Sequence, residues 1–408
     1  MSKYGYSRYS RVAPLRRVGY LLALALLLQP ASVSLASDSV NFDDALQFHG
    51  FLTQGYVKTT ANGFFGDSED GSWDFRELGI NSSYRITPQI LASAQLLSRK
   101  AGEMYDGSVD LDYAQIETTL FMKEQNRFGV ILGRYKNPFG LYNDTRDVAA
   151  TRPGIFMPQA IYWDRVRNMV LSNDGVQLFG HYQADNHRFS AQLFSGRTPI
   201  DKNVEQSYLS AALDPKMDQD GYTTGARLLY EWDGGRFIFA LSGASLTLDA
   251  TTNALPPGTI DIDYRVLSTQ YNAGLWSLTF EYMQEPLGYN GFAGAMDVGD
   301  TTLDGYYIQG NYRFRDDMEI FTRYEESHYD KNDTRGEKTS QRLGLDPHNF
   351  YSRAATLGLL WEISDHWILR SEFSQVDGTI FLSNLENPVV QDKSRNWNLF
   401  SLLVSYSF

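Results

Sequence analysis

Between Lys136 and Asp174 the chain places Asp144, Asp147, Asp164 and Asp174 among Arg146, Arg152, Arg165 and Arg167. The same stretch holds Pro138, Pro153 and Pro158, and the apolar residues Ile155, Phe156, Met157, Ile161, Tyr162 and Trp163. A fully solvated loop seldom carries so much apolar surface. The stretch is therefore expected to bury those groups on a wall and aim its charges across a hole. Rows of fixed charge select ions by sign and size without making or breaking a bond. An ordered cap or a subunit contact would use the same composition.

Bond-making chemistry has less to stand on. The histidines are His49, His181, His187, His328, His348 and His366, and none sits in a His-Glu-x-x-His pattern. No Gly-x-Ser-x-Gly elbow occurs, although a triad assembled from distant residues stays open. Cysteine is absent, which removes disulfides, thiolate metal sites and thiol nucleophiles. Asp67-Ser68-Glu69-Asp70-Gly71 and Asp218-Gln219-Asp220-Gly221 offer hard oxygen ligands for calcium. Neither completes the longer calcium-loop pattern, and turn chemistry explains Asp and Gly equally well. The expectation is no enzyme and no cofactor, with calcium at those two places as the alternative.

The elements that must hold the charged stretch are strands. The last one, Trp397–Phe408, sets the pattern: Asn398, Phe400, Leu402, Val404, Tyr406 and Phe408 alternate with Leu399, Ser401, Leu403, Ser405 and Ser407. A period of two over this length is a strand with one apolar face. Similar segments are expected at 46–58, 73–85, 89–99, 111–122, 127–135, 175–182, 188–195 and 221–232. Seven more follow at 236–248, 260–272, 275–284, 302–314, 318–329, 350–363 and 367–376. Seven short turns, such as Asp233-Gly234-Gly235, alternate with eight long loops. That asymmetry and the even count describe a barrel with both termini on one side of a membrane. A soluble all-β protein would turn the same apolar faces inward.

The N-terminus supports export. Lys3, Arg8, Arg11, Arg16 and Arg17 precede an apolar run from Val18 to Leu28, and Ser34-Leu35-Ala36 suits cleavage before Ser37. Residues 1–36 are read as a secretory signal peptide, 37–45 as a short periplasmic segment and 46–408 as the barrel. The formal charge is -13, and removing five leader cations leaves about -18, which argues against nucleic acid. Aromatic residues make up 14% of the chain and mean hydropathy is -0.36. A chain polar on average yet rich in aromatics suits a barrel, where only the lipid face is apolar and aromatic girdles mark its rims.

With the strand rhythm in place, GRYKNPFGLYNDTRDVAATRPGIFMPQAIYWDR, from Gly133 to Arg165, resembles the region after the fifth strand of Gram-negative porins, general and substrate-specific. The terminal Ser405-Tyr406-Ser407-Phe408 is similar to the signature by which such barrels are recognised for insertion, carried here by Tyr406 and Phe408. The resemblance implies a 16-stranded antiparallel transmembrane barrel with its third loop inside, a homotrimer in outer-membrane lipid and lipopolysaccharide, and delivery by the barrel assembly machinery. It is nearest the phosphate-selective group, but no Lys cluster is present. A passive channel for small hydrophilic solutes and ions is expected. The alternatives are a specific channel for an organic anion, phosphate or siderophore, and an outer-membrane hydrolase.

The strand phases place Glu117, Arg227, Glu231, Glu281, Arg313, Glu319, Arg323, Glu325, Arg370 and Glu372 on polar faces. In lipid each would be costly, whereas facing water each is cheap. Asp144, Asp147 and Asp164 on the loop, opposite Arg313, Arg323 and Arg370 on the wall, would set a transverse field. In the other reading these charges only pair and solvate the wall.

Overall fold

The computed structural model describes residues 45–294 and 301–408. The leader, and all of the 37–45 segment but Ala45, lie outside the described residues.

Wherever the two-residue period runs, a strand forms. In order they are β1 Leu46–Thr59, β2 Ser72–Thr87, β3 Ile90–Ala101, β4 Tyr105–Lys123, β5 Asn126–Lys136, β6 Ser172–Ala184, β7 His187–Arg197 and β8 Lys216–Trp232. The second half is β9 Phe237–Thr251, β10 Gly258–Asn272, β11 Trp276–Gly291, β12 Thr301–Arg315, β13 Met318–His328, β14 Tyr351–Glu362, β15 Trp367–Gly378 and β16 Asn396–Ser407. Each pairs antiparallel with its neighbours in the chain, and β16 pairs with β1, so the sheet closes into a 16-stranded barrel. Each described strand has a partner on both sides, so the sheet has no edge strand, as a spanning sheet requires. The final residue completes the seam: Phe408 and Gly50 exchange both backbone hydrogen bonds, at 3.0 and 3.1 Å. A Cβ at Gly50 would lie 2.6 Å from the Phe408 ring, so the terminal aromatic occupies the space that glycine leaves.

The apolar faces point outward. Phe48, Ile80, Ile116, Leu132, Leu193, Leu228, Leu241, Ile308, Leu357 and Phe400 are all exposed on the outside of the wall. On β16, Leu399, Ser401, Leu403 and Ser405 are buried while Phe400 is exposed, so the small and polar set faces the lumen. A soluble barrel would reverse this. No helix among the described residues is long and apolar enough to cross a membrane.

Two expectations about connections need correction. The strict alternation of short and long fails at β3–β4, where only residues 102–104 intervene because β4 begins at Tyr105. Register runs to Ala101↔Tyr105, and Gly107 (φ 91) and bulges in the ladder accommodate a Tyr-Asp-Gly-Ser sequence that hides its strand. The β9–β10 connection is also short, residues 252–257. The second correction concerns Asp218–Gly221, which lies inside β8 rather than in a loop. Asp218 instead pairs with Arg197 at 3.3 Å.

Candidate functional site

The β5–β6 loop, residues 137–171, crosses the lumen. Its neck is tied by backbone and side chain: Asn137 N–H donates to Leu171 O, and the amides of Asn137 and Asn143 both donate to Val170 O. Three short 3-10 turns and a five-residue helix, α1 (Arg167–Leu171), shape the rest. One apolar side, with Phe139, Ile161 and Tyr162, packs on the inner wall between β5 and β12. The other, with Ile155 and Phe156, joins Phe64, Phe65 and Phe75. There Phe156 meets Phe64 edge-on at 5.1 Å and stacks on Phe75 at 5.4 Å.

Along β9–β15 the wall grips the loop through carboxyl and hydroxyl oxygens. Ser242 accepts from Gly140 N–H at 2.9 Å, and Glu325 accepts from Ala160 N–H at 3.1 Å. Glu372 accepts from Ile155 N–H. Glu281 is the hub. It accepts from Leu141 N–H at 3.0 Å, from the Tyr162 hydroxyl at 2.8 Å, from Tyr307 at 2.8 Å and from Ser268 at 2.5 Å. Gln309 and Arg323 donate to the loop carbonyls of Pro153 and Phe156. A Cβ at Gly154 would come 2.6 Å from a Glu372 oxygen, so the loop passes that close only because glycine is there.

On the β2–β5 side the loop meets the wall through two ion-paired chains. Asp112 pairs with Lys136, Lys136 with Asp147, and Asp147 with Arg167. In the second chain Arg152 bonds Glu77 at 2.6 Å, and Glu77 bonds Arg99 at 3.1 Å. Arg99 bonds Asp164 at 2.8 Å, and Asp164 bonds Arg146 at 3.3 Å. All nine side chains are largely buried. Burial would raise the Asp164 carboxyl, but Arg99, Arg146 and Arg167 hold it below the usual carboxylate range. Removing one partner of such a buried pair costs about 3–5 kcal/mol.

The loop thus meets the wall on both the β2–β5 and the β9–β15 sides. Thr53, Glu77, Gln95, Gln177, Ser268, Glu281, Gln309, Arg323, Glu372 and Ser401 are each less than 9% exposed although all face inward. Polar groups stay half-exposed toward the short turns: Glu117 with Arg127 at 2.7 Å, and Arg313 with Glu362 at 2.9 Å.

The structure separates the residues that the sequence grouped. Arg146, Asp147, Arg152, Asp164 and Arg167 come together in the two chains. Asp144 pairs with Arg227 of β8 at 2.9 Å and keeps partial exposure. Arg165 donates to Gln206 O at 2.8 Å on the long-loop face. Arg323 lies beside Glu325 at 3.5 Å, and Arg370 is buried on β15. Arg313 and Glu117 stand apart near the turns. Arg313, Arg323 and Arg370 do not pair with the loop carboxylates; Asp164 and Asp144 of the loop meet other wall guanidiniums, Arg99 and Arg227, while the loop's Arg152 meets the wall carboxylate Glu77. Glu77, Arg99, Asp112 and Lys136 were missed. Glu77 and Arg99 share an inward phase opposite Leu78 and Leu96, a signal that the alternation of β2 and β3 already carried.

Above the loop, Glu386 of the β15–β16 loop accepts from Phe65 N–H (3.1 Å), Gly66 N–H (2.7 Å) and Glu103 N–H (3.3 Å). Burial nevertheless pushes its carboxyl above the ordinary glutamate value. Lys393 in the same loop is brought down to about 8 by burial and by Arg165.

No protein-family model and no curated protein sequence matches the chain. Solved structures do match in fold. The anion-selective porin from Comamonas acidovorans has TM-score 0.55 at 13% identity, over 89% of this chain and 99% of that one. The outer membrane channel DcaP of Acinetobacter baumannii has TM-score 0.56 at 11% identity, over 89% and 97%. OprB of Pseudomonas putida has TM-score 0.57 at 11% identity, over 90% and 95%. At these identities the likeness establishes the 16-stranded porin fold.

Proposed function

We propose that the chain is an outer-membrane channel through which small hydrophilic solutes and ions diffuse passively, its bore narrowed by the β5–β6 loop. The observation that carries this is a closed barrel with apolar side chains outside and a polar interior crossed by that loop. In hydrocarbon only a closed sheet satisfies its backbone, and sixteen strands enclose room for water unless something fills it. The lumenal acids and arginines act by fixed charge, and no covalent step is assigned to them. The outer membrane is the location this wall suits, and a homotrimer follows the trimer form in which the OmpT outer membrane protein of Vibrio cholerae was solved.

Purified protein in a planar bilayer tests the reading. Steady single-channel steps are expected, smaller than those of a variant lacking Asp144–Pro158. A wild type that inserts folded and carries no current, with or without the loop, would refute it.

A second reading, a channel with a built binding site, is favoured by the three-arginine chain, in which Arg99, Arg146 and Arg152 are bridged by Glu77 and Asp164.

A further inference from the structure

The β4–β5 ladder stops early. Its last pair is Ala114↔Arg134, yet β4 continues back to Tyr105, paired there only with β3. The β3–β4 hairpin leans away toward the other loops, where Met104 O accepts from the Asn203 amide at 2.8 Å. Where the ladder parts, Arg134 spans the gap by donating to Leu111 O at 3.0 Å. Behind the gap lies a cavity of about 600 Å³. That volume falls within the range of small-molecule sites.

Its lining is graded. Deep in the cavity sit Arg99 and Arg167, both buried. The Arg99 guanidinium stacks over Tyr105 at 4.6 Å and is 8% exposed. Two of its nitrogens meet Glu77 and Asp164, but among the described residues Nη1 has no hydrogen-bond partner. A buried donor left unpaired costs about 1–3 kcal/mol. The chain that Arg99 belongs to is also short of one negative charge, since three guanidiniums share two carboxylates. Both deficits call for an anion. The rest of the lining is mostly acidic: Asp106 and Asp110 are exposed on the β4 lip, Glu103, Asp112 and Asp201 line the cavity as well, and Arg134 and Lys202 are its other cations.

We infer that this cavity binds a small zwitterion, an amino acid or short peptide, with its carboxylate toward Arg99 and its ammonium at Asp106 and Asp110. The inference deepens the channel reading by naming the solute class that lodges beside the loop. A guanidinium N–H with no partner donates to a carboxylate oxygen without displacing the bonds that hold the loop. The ammonium then reaches the rim, where water and acidic groups both stabilise it.

The test is calorimetric titration of the full chain in detergent with three matched probes: glutamine, glutaminamide and N-acetylglutamine. Glutamine should bind saturably. Glutaminamide, which lacks the carboxylate, should bind roughly tenfold weaker or worse, the value of a charged hydrogen bond. N-acetylglutamine, which lacks the ammonium, should lose about two- to fivefold, as for exposed pairs. The double variant Asp106→Asn, Asp110→Asn should bind glutamine and N-acetylglutamine equally while retaining the preference over glutaminamide. Arg99→Gln should abolish binding, and the probe series stands without it where that variant does not fold. No saturable glutamine binding, equal binding of all three probes, or an unchanged preference in the double variant would overturn the inference. Binding is read without current, so its failure is distinct from failure of the channel.

Discussion

Replacing Glu281 by Ala should loosen the loop from the wall without opening the barrel. The carboxyl is fully buried on β11 and takes four donors, of which the Tyr162 hydroxyl and Leu141 N–H belong to the loop. Leu141 N–H keeps a second partner in the Tyr162 oxygen at 2.9 Å, so the Tyr162 hydroxyl is the loop group that is stranded. A buried hydroxyl left unpaired costs about 1–3 kcal/mol. Undocking returns it to water and removes that cost. A shift of about 1–3 kcal/mol raises the undocked fraction roughly 5- to 150-fold, at about 1.36 kcal/mol per tenfold. Single-channel recording reads this directly as longer or more frequent high-conductance openings. Glu281→Gln keeps an acceptor and should fall between wild type and Ala. An inserted Glu281→Ala channel with wild-type current and noise would refute the claim that this hub holds the loop.

Four further outcomes follow from the same geometry. Deleting Asp144–Pro158 removes Asp147 from one ion-paired chain and Arg146 and Arg152 from the other, and should raise conductance in the planar bilayer. Phe408→Ser keeps the backbone bonds to Gly50 but empties the space beside it, so the folded yield in outer membranes should fall while the molecules that insert conduct normally. Leu228→Arg on the lipid face should cost about 2–4 kcal/mol in urea unfolding from vesicles if it sits at mid-membrane. Glu386 has a pH signature: its folded carboxyl titrates above the unfolded value, so the folded state binds the proton more tightly. Stability should rise as pH falls through the raised value toward the ordinary glutamate value and level off below it. Thermal melts of Glu386→Gln should lack that component.

The strands were legible because lipid outside and water inside impose the two-residue period on nearly every segment. Phe400, Leu402 and Val404 against Ser401, Leu403 and Ser405 is the pattern at its clearest, and β16 places them as that pattern requires. Boundaries slipped where a strand rises beyond the membrane and loses its apolar face. Residues 105–110, with Asp106, Gly107 and Asp110, and residues 216–220, with Asp218 and Asp220, read as loops, yet both extend strands. The loop's apolar residues announced that it packs on something. Which acid meets which arginine was not legible, because Glu77, Asp164 and Arg99 are brought together by barrel closure and no local spacing encodes that. The wall acids beside the loop also follow from the fold: backbone N–H groups at Ala160 and Ile155 need acceptors, and the wall supplies Glu325 and Glu372.

The absence of cysteine makes the central claim open to one clean measurement. Single cysteines at Leu228, Leu357 and Ile116 on the outside, and at Asn81, Ser190 and Glu117 inside, would carry spin labels in the protein reconstituted into bilayers. The account predicts that the first set collides with dissolved oxygen and the second with a water-soluble nickel complex. The reverse assignment, or nickel access at both sets, would contradict a barrel with hydrocarbon outside and water within.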